Sequence, residues 1–235
     1  MPEIGFAPDA SFPLIYAEKG IVSFDVTGKV VDSDLLTFKA GDRYNVVPDY
    51  AECTLNIDLK DSFLKHLSFN GFNGDYIDGK YIVYGKSAHA MQPNLGMNAA
   101  FILAEFLNSH IDNDFIKYVC EFLTFDHLAE KLNIDHFDKE MKDFTMNPAV
   151  FEYTQKEFKI GVNCRYPKGW DYDSAKINLE ASVRKYHFKL NILSNNPIHY
   201  VEKTDPLVQT LHEAYIKYTG DTETELITIG GGTYS

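Results

Sequence analysis

Three segments of this chain alternate apolar and polar residues one by one, and that period of two constrains the fold more than any other feature. In "IVSFDVTGKVV", residues 21–31, Val22, Phe24 and Val26 share one face. In "AECTLNIDL", residues 51–59, Cys53, Leu55, Ile57 and Leu59 do so, and in "EFKIGVNCRYP", residues 157–167, Phe158, Ile160, Val162 and Cys164. Each predicts a half-buried strand in a sheet with one covered face. "DGKYIVYG" predicts a further strand, entered through an Asp78-Gly79 turn.

Helical periods lie between the strands. Ala99, Ile102, Leu103, Phe106 and Leu107 form a stripe over 97–109. A second helix is expected over 173–187, capped by Asp173-Ser174, with Ala175, Leu179, Val183 and Tyr186 on one face. The clearest spans 205–219: Asp205 caps it, Pro206 takes its first position and Gly220 ends it. Residues 114–133 read as helical without a clean stripe. Strands and helices thus alternate twice, over 21–110 and 111–202, which predicts two α/β units of similar size. The flanks, 1–20 and 203–235, carry apolar segments ("FPLIYAEKG", "LITIGGGTYS") that read as pieces of something longer.

The formal charge of −12, from 22 basic and 34 acidic residues, argues against a nucleic-acid partner, whose phosphates demand a cationic face. No run is long and apolar enough to span a membrane, and the first residues lack a basic-then-apolar leader, so a cytoplasmic protein is expected. Cys53, Cys120 and Cys164 show no CxxC spacing; Cys53 and Cys164 fall on apolar faces and read as core thiols.

Chemistry-bearing residues are scattered. His89 sits in "GKSAHAMQPNLGMNAA" between small neighbours that would let a ligand approach, but local physics alone favours a strand-end histidine bonded to a neighbour. Asn163 and Arg165 in "NCRYP" share the face opposite the apolar one; together they can hold a carboxylate, or the arginine is simply exposed. Asn45 in "YNVVP" reads as a turn residue. "GGGT", with Gly231, Gly232 and Thr233, is neither a Walker loop nor GxGxxG, and fits a tight turn or a close backbone approach to a ligand. Asp9 in "APDASFP" could ligate a metal, but one carboxylate is not a metal site, and the histidines show no HxD, HxH or HExxH spacing. Residue chemistry alone therefore yields no complete active site.

In order, "APDASFPLIYAEKG", "YNVVPDYAECTL", "GKSAHAMQPNLGMNAA", "NCRYP" and "DPLVQTLHEAYIKYTG" with "ITIGGGTYS" resemble the dipeptidase V-like branch of the di-zinc aminoacylase/carboxypeptidase family, over residues 5–235. The resemblance implies a lid of two ferredoxin-like α/β subdomains (21–110 and 111–202) that imitates the dimer interface of its relatives, with catalytic-domain stubs at 1–20 and 203–235. It further implies Asp9 as a zinc ligand and His89 as the group that polarises the scissile carbonyl. Asn45 and Arg165 would contact the substrate, the arginine at its C-terminal carboxylate, and the loop of Gly231, Gly232 and Thr233 would lie beside it. The family's HxD motif, bridging aspartate, Glu-Glu pair and last histidine ligand have no counterpart here. The expectation is thus the lid of a zinc dipeptidase, with two zinc ions in the intact parent, a dipeptide substrate and little activity or tight zinc binding in this chain. The alternative expectation is a non-catalytic binding or assembly module that associates through the exposed lid surface.

Overall fold

The computed structural model describes residues 5–7, 11–31 and 33–231. The chain opens with strands β1 (Ile15–Glu18), β2 (Gly20–Lys29), β3 (Leu35–Ala40) and β4 (Tyr50–Leu55), of which β2 and β4 fall on predicted alternating segments. Helix α1 (Lys60–Asn70), the hairpin β5 (Asn73–Ile77) and β6 (Lys80–Tyr84), and helices α2 (Ala99–Asn108) and α3 (Asp114–Phe122) follow. Next come a short hairpin, β7 (Phe137–Asp138) with β8 (Lys142–Asp143), then β9 (Thr145–Tyr153), β10 (Glu157–Tyr166) and helix α4 (Tyr172–Lys185). The last elements are β11 (Lys189–Asn196), β12 (His199–Tyr200), helix α5 (Pro206–Thr219) and β13 (Ile227–Ile229).

Eight strands form one antiparallel sheet in the order β11-β2-β10-β9-β3-β4-β6-β5. One face packs against α1–α4 in a single apolar cluster that includes Phe24, Phe38, Cys53, Phe63, Ile102, Phe115, Ile160 and Leu179. The α/β fold is therefore as the alternation predicts. Cys53 and Cys164 are fully buried, and burial pushes both thiols well above their ordinary range, so they are core groups.

The sheet holds a hidden duplication. Its first half, β3-β4-α1-β5-β6-α2, has strand order 3-4-6-5; the second, β9-β10-α4-β11-β2-α3, has order 9-10-2-11, the same arrangement. The halves meet at the antiparallel pair β3–β9, where Lys39 faces Glu152. Chain order and sheet order differ at one strand. β2, at the head of the 21–110 stretch, lies in the second half, because it pairs with β10 from Gly20–Tyr166 to Lys29–Glu157.

Local expectations fare unevenly. Asp205 caps α5 through Leu207 N, Pro206 opens it, and Gly220 closes it in the left-handed conformation. Asn98 caps α2 through Ala100 N. Helix α4 begins earlier than expected: Asp171, not Asp173-Ser174, is the cap and accepts from the N–H groups of both. The stretch 114–133 lacks a clean stripe because only Asp114–Phe122 is α-helical; Phe125, Ala129 and Asn133 then take positive φ and break the chain into turns. The apolar flanks find partners in each other, since β1 pairs with β12 and β13 in a small separate sheet.

Candidate functional site

On the face of the sheet away from the helices, the polar residues of β10 and β9 stand side by side. Asn163 is in register with Ser23 and Asn147, and Arg165 with Ile21 and Thr145. Neither Asn163 nor Arg165 is exposed, as a one-sided sheet would have left them; they are 4% and 5% accessible. Three segments cover this end of the sheet: the turn around Asn45, the loop carrying His89, and the glycine loop after β13. A buried guanidinium needs its donors satisfied. Arg165 Nε donates to Asn163 Oδ1 at 3.0 Å, and Nη1 donates to the carbonyls of Gly230 at 3.1 Å and Gly231 at 3.0 Å. Asn163 in turn donates to Ser23 Oγ at 2.9 Å. The fork is thus fixed along one side, and its remaining N–H groups are free of these contacts.

The Asn45 turn and the His89 loop are joined to each other as a short antiparallel bridge, Val46 with His89. Ala90 N donates to Asn45 O at 3.0 Å and Val47 N to Ala88 O at 2.9 Å. The alternate carbonyls of that turn point the other way, to the sheet: Asn147 Nδ2 donates to Tyr44 O at 3.0 Å and Val46 O at 3.1 Å. The Tyr44 ring lies over Gly161, where a β-carbon would come within 2.7 Å of it, and its hydroxyl donates to Asp25. Thr145 Oγ1 donates to Ala90 O, tying the His89 loop to β9. The glycine loop closes the other side: Gly231 has φ of +83°, and Gly230 packs so near Met91 that a β-carbon would reach its side chain at 2.5 Å. Asn45, His89, Arg165 and Gly231 are therefore brought together. Gly232, Thr233 and Asp9 lie outside the described residues.

The protonation state of His89 follows from its neighbours. Met91 N donates to His89 Nδ1 at 3.1 Å, so Nδ1 is an acceptor and the neutral ring carries its proton on Nε2. Partial desolvation, and secondarily the Arg165 cation, hold the imidazole below its ordinary pKa. At neutral pH the exposed His89 thus offers an uncharged N–H donor beside a fixed arginine. Such a pair can hold a carboxylate at one point and donate to a carbonyl oxygen at another. Among the described residues no three His, Cys, Asp or Glu side chains converge so as to hold a metal ion, so these residues do not by themselves fit the zinc that the family resemblance implies. Among them, too, no helix is long and apolar enough to cross a membrane.

The sequence reading missed the groups that assemble this site: Asn147, Thr145, Tyr44 and Asp25. One signal was present, an asparagine inside the mostly apolar run "FTMNPAVF". A buried amide there demands partners and marks a place where the backbone needs holding.

Residues 75–190 match the family described as "Peptidase dimerisation domain". A protein of Staphylococcus aureus (strain USA300) and one of Staphylococcus epidermidis, both named "Putative dipeptidase", are each 38% identical over 256 aligned residues. Each alignment covers 100% of this chain and 54% of the relative, so the chain spans about half the length of the curated relatives it matches. Among solved structures, aminoacylhistidine dipeptidase from Vibrio alginolyticus aligns with a TM-score of 0.47 and 9% identity, over 93% of this chain and 52% of that one. The chain is thus similar along its whole length to putative dipeptidases, and its residues 75–190 match the peptidase dimerisation domain.

Proposed function

We propose that this chain is the substrate-holding lid of a zinc-dependent dipeptidase. The observation that carries the reading is the convergence of a fixed arginine, a neutral Nε2–H imidazole and an exposed asparagine on one patch of the sheet. In this reading the remaining N–H groups of Arg165 grip the C-terminal carboxylate of a dipeptide. His89 Nε2–H donates to the scissile carbonyl as negative charge develops on its oxygen, and Asn45 contacts the substrate backbone. The zinc ions would supply the activated water, with Asp9 one of their ligands. The described residues contribute binding and polarisation, and the chain alone turns over little. The cysteines, free of disulfides among the described residues, suit a cytoplasmic setting.

Isothermal titration of the purified chain with zinc, followed by a dipeptide-hydrolysis assay on the same sample, tests this division of labour. Weak zinc binding without turnover is expected. Two tightly bound zinc ions with turnover would contradict it.

A second reading, an assembly module on the same fold, is favoured by one observation. An apolar groove of about 680 Å³ lies between the N-terminal segment and α5, lined by Phe6, Phe12, Leu211 and Tyr215 among others. Light scattering across a concentration series separates the two. A stable oligomer that persists at micromolar concentration favours the module; a monomer favours the lid.

A further inference from the structure

We propose that Asn147 is a positioning residue: it holds the Asn45 turn, and through the Val46–His89 bridge the His89 loop, in register with Arg165. The inference rests on the reading of Asn45 and His89 as substrate-facing groups. Asn147 is 1% exposed and gives both Nδ2 hydrogens to the turn, one to Tyr44 O and one to Val46 O. In an extended segment successive carbonyls point to opposite sides. Those of 44 and 46 are taken by Asn147, while the Asn45 carbonyl and the Val47 N–H bond the His89 loop. One amide therefore indexes two segments at once. On its own strand Asn147 pairs with Asn163, the residue that orients the guanidinium of Arg165. The three proposed substrate contacts come from far-apart parts of the chain, and Asn147 is the side chain through which the first two are referred to the third.

A buried amide that served stability alone would lower the melting temperature when removed and change nothing else. A positioning residue also moves the groups it places. The test is Asn147→Leu in the full chain, a substitution of the same branched shape, though larger, that leaves both carbonyls without their donor. It is followed by NMR titration of the His89 ring, amide exchange at residues 45 and 89, and addition of glycyl-glycine.

The expected result is a folded protein in which the His89 midpoint climbs toward the ordinary value near ~6.5 as the ring becomes better solvated and leaves Arg165. Amide exchange at 45 and 89 should speed up by on the order of tenfold. A lower melting temperature with unchanged His89 titration and unchanged exchange would overturn the proposal. Should the variant fail to fold, the unaltered chain still decides: slow solvent exchange of both Asn147 Nδ2 protons is expected, and fast exchange would overturn it. Absence of glycyl-glycine shifts at Asn45, His89 and Arg165 in the unaltered chain would sink the lid reading instead, while the exchange and titration data still report whether Asn147 holds the two segments.

Discussion

Arg165 shows how a single side chain changes meaning with its surroundings. In an alternating strand its place is the solvent face, yet here loops cover that face and its Nε and Nη1 are bonded to an amide and two carbonyls. Arg165→Lys keeps the charge but loses the planar fork, and a single ammonium cannot meet all three acceptors in the same geometry. We expect dipeptide binding to be lost and stability to fall by about 1–3 kcal/mol, read by urea denaturation. Full retention of binding would remove the carboxylate role.

His66 gives a second test at this scale. Its Nε2 is buried without a hydrogen-bond partner, while its ring packs near Phe72 and Phe106. Desolvation depresses its pKa, with Glu105 opposing the shift and His110 adding to it. The unfolded chain therefore binds this proton more readily than the native one. The stabilisation is complete above the unfolded value near ~6.5 and is lost as pH falls through the lower native value. Thermal melts from pH 7 to 5 should show declining stability, less steep in His66→Phe. Identical slopes in the two proteins would exclude His66 as the cause.

Among the elements, legibility followed exposure. β2 and β4 were legible because one face of each is wetter than the other, and β10 because its second face, though covered, still carries the polar Lys159, Asn163 and Arg165, so the period of two survives in the residues. β9 was not. Both its faces are covered, it reads "TMNPAVFEY" with all but Glu152 buried, and a run without alternation is ambiguous. α1 was missed because only Phe63 and Leu67 are buried, too few for a stripe. The site suffered the same way: Asn45, His89, Arg165 and Gly231 could be named through motif order, whereas the side chains that align them are ordinary residues whose role exists only after folding.

Where turn chemistry is local, it is testable locally. Gly79 has φ of +80° with open space around its missing β-carbon, so Gly79→Ala costs only backbone strain, about 1 kcal/mol. Asp205→Ala removes the cap of α5 for a similar ~1 kcal/mol. Equilibrium unfolding measures both, and a change below a few tenths would contradict the assigned conformations.

As a whole, the molecule joins two copies of one arrangement that share no obvious sequence. Their seam carries Glu52, Lys39, Glu152 and Lys159 in adjacent register positions, charges alternating across the pseudo-two-fold. Lys39→Glu would set three carboxylates in a row and should cost roughly 0.2–1 kcal/mol, screened by salt. One apolar cluster runs beneath both halves, so they should melt together with equal calorimetric and van't Hoff enthalpies; two resolved transitions would mean independent units. This continuity lets the first half supply Asn45 and His89 while the second supplies Arg165 and the rows that align them.

We propose that these groups form one dipeptide-holding site. It is tested most directly by titrating the isotope-labelled chain with glycyl-glycine while following every backbone amide by NMR. Saturable shifts confined to the Asn45 turn, the His89 loop, Arg165 and Gly230–Gly231 are expected, abolished in Arg165→Ala. Shifts centred on the apolar groove beside α5, or none at all, would contradict it.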